Sequence, residues 1–195
     1  MDMNLTEIIF LLDRSGSMAG LESDTIGGFN AFVEKQSQME GKVVVTAVLF
    51  DDEYEILWNG IDAAGAKLTS KEYFARGMTA LLDAIGKTIM DVGYRLSITE
   101  KDKRPEKVIF VITTDGLENS SIEYTYKKIK ELIKHQQEKY NWEFIFLGAN
   151  IDAAAEGESI GISRENTHCF KASKDGVEEM YTTVCEEVSL RRKRK

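Results

Sequence analysis

An α/β fold, with a doubly wound, mostly parallel sheet covered by helices on both faces, is predicted from three features of this chain. Apolar runs of strand length alternate with segments whose apolar residues recur at helical spacing. The run Val108 to Thr113 is almost entirely β-branched or apolar, as expected of a strand buried on both sides. Two strand ends, at Asp13 and at Asp115, turn into polar loops rather than into hairpins. With 195 residues the chain is long enough to bury one good core.

The elements follow in order. Ile8-Ile9-Phe10-Leu11-Leu12 is the first strand, followed by the turn Asp13-Arg14-Ser15-Gly16-Ser17. Ile26, Phe29, Phe32 and Val33 mark a helix, and Gly27 and Gly28 within it cost about 1 kcal/mol each against alanine. Those glycines are read as sites of close helix-sheet packing. Val43 to Phe50 and Glu53 to Trp58 form an antiparallel hairpin at a sheet edge, with Asp51 and Asp52 as turn residues. Residues 61–78 form an irregular connection. Thr79 opens a helix with Leu81, Leu82, Ile85, Ile89, Val92 and Leu96 on its inner face, and Asp83 is read as an ordinary helix-face charge. Pro105 closes the connection to the buried strand, which ends in Thr114-Asp115-Gly116.

Ser120 and Glu123 suit a capping box for the next helix, whose core face includes Ile129, Leu132 and Ile133. Glu118 is placed at the edge of the same loop, on the side of the strand ends. Trp142 to Leu147 is a further strand, a short helix lies near Ala153, and Thr167 to Phe170 is a last short strand. Ser173 caps a final helix carrying Val177, Met180, Tyr181, Val184 and Val188. No repeat or composition break divides the chain, so residues 1–190 are expected to form one domain, with 191–195 as a basic tail.

The formal charge is −8, but five basic residues sit in Arg191-Arg192-Lys193-Arg194-Lys195, leaving a body with 20 basic against 33 acidic residues. Such a body disfavours a phosphate backbone, so nucleic acid is not expected as a partner. The terminal run is read as a solvated end that offsets the acidic body; a nuclear signal or nucleic-acid hook is the competing reading. Cys169 and Cys185 lack metal or redox spacing, and no run has the length of a secretory leader or a membrane span. A reducing, cytoplasmic setting with free thiols is therefore expected. His135, His168, Trp58 and Trp142 are read as surface or packing residues without a binding role.

In open doubly wound sheets, sites form beyond the carboxyl ends of the strands where strand order reverses. If the strands ending at Asp13 and Asp115 are neighbours, their turns face one another and the loop before Thr79 passes nearby. The expected donor set is Asp13, Ser15, Ser17, Thr79 and Asp115. Two carboxylates and three hydroxyls suit a hard divalent cation. Each residue alone is equally what a cap or turn would use; it is the convergence that selects the metal reading.

These residues carry a resemblance. Asp13-Arg14-Ser15-Gly16-Ser17, Gly77-Met78-Thr79 and Thr114-Asp115-Gly116 occur in the order found in the von Willebrand factor A (vWA) family, and the resemblance spans roughly Leu5 to Val188. It implies the Rossmann-like vWA fold, a small intracellular type of member, and a metal-ion-dependent adhesion site (MIDAS). It further implies that Ser15, Ser17 and, in one conformational state, Thr79 ligate the metal directly, while Asp13 and Asp115 act largely through water. Magnesium fits such a set best, and manganese or calcium could stand in.

The function expected is a protein-interaction module, not an enzyme. A partner protein's Asp or Glu carboxylate would complete the metal shell, with no membrane involved. The alternative is a magnesium-dependent phosphohydrolase with Asp13 as nucleophile. Against it, Ser15 occupies the position two residues on where a second carboxylate would stand, and no nucleotide-binding loop is present.

Overall fold

A computed structural model of the chain describes residues 5–194. Six strands, β1 (Thr6–Asp13), β2 (Val43–Phe50), β3 (Tyr54–Asp62), β4 (Lys107–Thr114), β5 (Glu143–Ala149) and β6 (Thr167–Phe170), form one sheet in the order β3-β2-β1-β4-β5-β6. Every pairing is parallel except β2 with β3, which is antiparallel and closes one edge. The helices are α1 (Glu22–Gln38), α2 (Leu81–Ile98), α3 (Tyr126–Tyr140), α4 (Ala153–Ile160) and α5 (Lys174–Lys193). This is the predicted architecture.

Alternation along β1 sends side chains into two separate core layers. Ile8, Phe10 and Leu12 pack with Phe29, Phe32 and Val33 of α1 and with Tyr181, Val184 and Val188 of α5. Ile9 and Leu11 pack with Leu81, Ile85 and Ile89 of α2 and with Ile129 and Ile133 of α3. Phe10 meets Phe29 and Phe32 edge to face, with ring centroids 5.4 and 5.2 Å apart, contacts worth about 1 kcal/mol each beyond burial. Because both faces of β1 are covered, its sequence is continuously apolar rather than alternating.

Gly28 explains how α1 and α5 approach so closely. A Cβ built there would lie 2.2 Å from the Tyr181 ring, so the packing that requires glycine is between helices rather than between helix and sheet. Trp58 stacks on Phe29 and Trp142 is buried, as expected of packing residues. Both cysteines are free thiols, Cys169 exposed and Cys185 buried. Among the described residues no helix is long and apolar enough to cross a membrane.

Several boundaries differ from the sequence reading. β3 extends to Asp62, so the irregular connection is shorter than 61–78. Helix α2 starts at Leu81, two residues after Thr79. Ser120 and Glu123 do not cap α3: Thr125 does, its Oγ1 accepting from Lys128 N at 3.3 Å. Ser173 caps α5 as read, accepting from Gly176 N at 3.1 Å. Arg191 and Arg192 are not part of a solvated tail, whereas Lys193 and Arg194 are exposed. Helix α5 continues through Lys193, and Arg191 is buried, pairing with Glu143 at 3.1 Å and with Glu187, and donating to Asn166 Oδ1 at 2.6 Å. Arg192 donates to Gln36 O and Oε1 at 2.7 and 2.9 Å.

Candidate metal site

From β1 the chain winds outward through β2 and β3 in one direction and resumes at β4 on the other side, so strand order reverses between β1 and β4. Register places Leu12 beside Thr113, which brings Asp13 abreast of Thr114 at the carboxyl ends. Thr114 Oγ1 donates to Asp13 Oδ2 at 2.7 Å, and Ser15 N donates to Asp13 Oδ1 at 2.7 Å. The second bond closes the turn that lifts Ser15 and Ser17 off the strand end. Their hydroxyl oxygens lie 3.1 Å apart, and Ser17 Oγ donates to Asp115 Oδ1 at 2.6 Å. A Cβ added to Gly116 would sit 3.6 Å from Thr79 Oγ1 and 3.7 Å from Ser17 Oγ. All five expected side chains therefore border one small volume, though Asp13 and Asp115 are 102 positions apart.

The charges in that volume lack solvent. Burial pushes the Asp13 carboxyl up to about 6, with the Ser15 and Thr114 hydrogen bonds opposing the rise. Burial likewise raises Asp115, opposed by its bond from Ser17. Asp115 Oδ2 is buried and has no hydrogen-bond partner, an arrangement costly for a carboxylate unless a cation or its water meets it. Among the described residues no three carboxylate, imidazole or thiol side chains cluster as metal ligands. A cation here would thus rest on hydroxyls with carboxylates behind, a donor set that fits a hard divalent ion.

The loops that hold these donors use residues the sequence reading assigned elsewhere. Asp51 is not merely a turn residue: fully buried, it accepts from Arg14 Nε at 3.1 Å and Arg76 Nε at 2.7 Å. Arg14 also donates to Glu55 at 2.7 Å. Main-chain bonds from Gly16 N to Gly77 O, Arg76 N to Arg14 O and Ala80 N to Asp51 O, at 3.1, 2.7 and 2.9 Å, tie the β1 turn and the hairpin to the Thr79 loop. Gly77 has φ +68°, and a Cβ there would fall 1.9 Å from Asp52 Oδ1, which accepts from Met78 N at 3.0 Å.

On the other side, Thr79 N donates to Asn119 Oδ1 at 2.9 Å and Asn119 N to Thr79 O at 3.0 Å. Asp83 is not an ordinary surface charge. It is buried and accepts from the main chain of Ile122, Glu123 and Tyr124 at 2.8–3.0 Å. Glu118 accepts from Leu82 N at 2.9 Å and from Ser121 N at 2.7 Å, so it ties the loop to the start of α2. No local pattern marks the long-range roles of Asn119, Asp83 and Glu118, whose partners Thr79, residues 122–124 and Leu82 lie 36 to 41 positions away.

No protein-family model matches the sequence, and no curated protein matches it either. Solved structures do match in three dimensions. The vWF domain of the type V pili tip protein Mfa5 from Porphyromonas gingivalis superposes with a TM-score of 0.70 at 11% identity, covering 97% of both chains. The chain has the von Willebrand factor A fold. The ArnB paralog VWA2 from Sulfolobus acidocaldarius gives a TM-score of 0.60 at 17% identity, over 94% of this chain and 44% of that one. Proximal thread matrix protein 1 from the mussel byssus, in a structure with a zinc-occupied MIDAS motif, gives 0.60 at 16%, over 94% and 45%. The chain thus spans less than half the length of the mussel and archaeal proteins. At these identities the likeness is one of fold.

Proposed function

We propose that this vWA-fold chain is a metal-dependent protein-interaction module. Ser15, Ser17 and Thr79 would hold a divalent cation, magnesium by preference, through their hydroxyls, with Asp13 and Asp115 supplying charge from behind. The observation that carries the reading is the buried, unpartnered Asp115 Oδ2 beside the Ser15–Ser17 hydroxyl pair. The zinc-occupied MIDAS of the mussel structure, on the same fold, supports it further. When bound, the cation supplies an electrophile for an Asp or Glu carboxylate of a partner protein. Asp13 orients Ser15 through its main-chain N–H, and Thr114 holds the Asp13 carboxylate in place.

Catalysis by Asp13 is disfavoured by its surroundings. Both carboxylate oxygens are engaged and the side chain is 2% exposed, whereas a nucleophile needs a free oxygen facing its substrate. Magnesium titration by calorimetry tests the proposal. Ser15→Ala and Ser17→Ala should each lose most uptake, at least tenfold in affinity, with melting temperatures within a few degrees of the parent. Unchanged uptake in both variants would overturn it.

A further inference from the structure

Of the large apolar side chains exposed on this molecule, Phe74, Met78 and Leu117 lie on the two loops that deliver Thr79 and Asp115. Met78 immediately precedes Thr79 and is 52% exposed; Leu117 follows Asp115 by two positions and is 58% exposed. The reciprocal Thr79–Asn119 pair holds these loops side by side, so the two exposed apolar residues stand on adjoining loops, each within two positions of an expected donor. Met78 is fixed at its main chain by Asp52, and Phe74 is held beneath two guanidiniums, with Arg14 and Arg76 Cζ 5.9 and 5.6 Å from its ring centroid. Exposed apolar side chains beside a polar site are natural contact points, because covering them removes apolar surface from water.

The hairpin that the Thr79 loop is tied to bears the opposite character. Glu53 and Glu55 are largely exposed, and Asp52 lies beside them. The guanidiniums of Arg14 and Arg76 are paired with Asp51, Glu53 and Glu55. Four carboxylates face two cations there, so that flank repels a lone approaching carboxylate and favours a neighbouring positive charge.

Resting on the metal-dependent reading above, we propose that the partner presents its metal-binding carboxylate between an apolar side chain and a lysine or arginine. The apolar side chain would contact Met78 and Leu117, and the basic one would face Glu53 and Glu55. Charge complementarity supplies the choice of the basic flank, and the exposed pair of apolar residues the other.

Nuclear magnetic resonance titration of the magnesium-loaded, 15N-labelled full chain tests this with four capped heptapeptides. Their centres are Leu-Glu-Lys, Lys-Glu-Leu, Ser-Glu-Lys and Ser-Glu-Ser in a glycine–serine frame. The better of the first two orders should bind at least tenfold tighter than Ser-Glu-Ser. Met78→Ser with Leu117→Ser should remove the advantage of leucine, and Glu53→Gln should reduce that of lysine, while calorimetric magnesium uptake stays at the parental value in both variants. Equal binding of all four peptides with magnesium uptake intact would overturn the inference, as would a leucine preference that survives the double substitution. Absence of magnesium uptake in the parent chain would instead overturn the metal-dependent reading itself.

Discussion

At Asp13, burial and function pull the same proton in opposite directions. Its carboxyl sits at about 6 in the fold against 3.8 when solvated, so folding favours the protonated form. For an acid whose folded pKa is raised, that contribution is complete below the unfolded value and is lost as pH rises through the folded one. Chelator-treated protein should therefore gain about 1 kcal/mol of stability from this group between pH 7 and pH 5. Denaturant titrations at the two pH values check the sign: Asp13→Asn should abolish the gain, and an unchanged pH dependence in that variant would refute the assignment. Asn119 gives a second residue-scale outcome. Its Oδ1 accepts from Thr79 N, which lies buried, so Asn119→Ala leaves that donor unpaired at about 1–3 kcal/mol. Magnesium affinity should fall about tenfold in calorimetry with the chain still folded, because Thr79 loses its anchor. That the five candidate side chains lie together could be expected from the sequence, since polar residue types at neighbouring strand ends face one crevice. The roles of Asn119, Asp51 and Asp83 were not legible, because an ordinary polar residue in a polar loop reveals nothing about a partner 25 to 41 positions away.

Element by element, periodicity and turn residues located the six strands and five α-helices but not the short 3-10 turns, and the other errors fell at boundaries. Ser120 with Glu123 satisfies the capping-box pattern, yet Thr125 caps α3. The intervening residues are held by Asp83 and Glu118, and tertiary bonds of that kind outweigh a local cap preference worth about 1 kcal/mol. Helix α2 begins after Thr79 for a similar reason: Thr79 N is taken by Asn119 and Ala80 N by Asp51 O. Gly28 makes the element scale testable. Gly28→Ala places a methyl carbon 2.2 Å from the Tyr181 ring, and forcing α1 and α5 apart should cost about 1–3 kcal/mol despite alanine's better helix propensity. Gly27 is the control. A Cβ there meets nothing within 4 Å, so Gly27→Ala should raise the melting temperature, and a fall of equal size in both variants would contradict the packing argument.

Across the whole molecule, the end of α5 is tied to β4 and to α1. Lys107 at the start of β4 donates to the carbonyl oxygens of Arg191 and Arg194, and Arg192 reaches Gln36 of α1. Deleting residues 191–195 should therefore destabilise the chain by roughly 2 kcal/mol, the scale of charge-assisted hydrogen bonds, where a solvated tail predicts no change; chemical denaturation distinguishes the two. By itself the sequence determined the class of fold and the run of elements, and it singled out five oxygen-bearing side chains as candidates, because hydrophobic period and residue chemistry are local properties. Tertiary structure alone decided which strands stand side by side, and so whether those donors meet. It also decided which charges are buried to hold them: Arg14, Asp51 and Asp83 look like any surface charge in a linear chain, and only their enclosure by other segments makes an ion pair or a capped loop worth more than hydration.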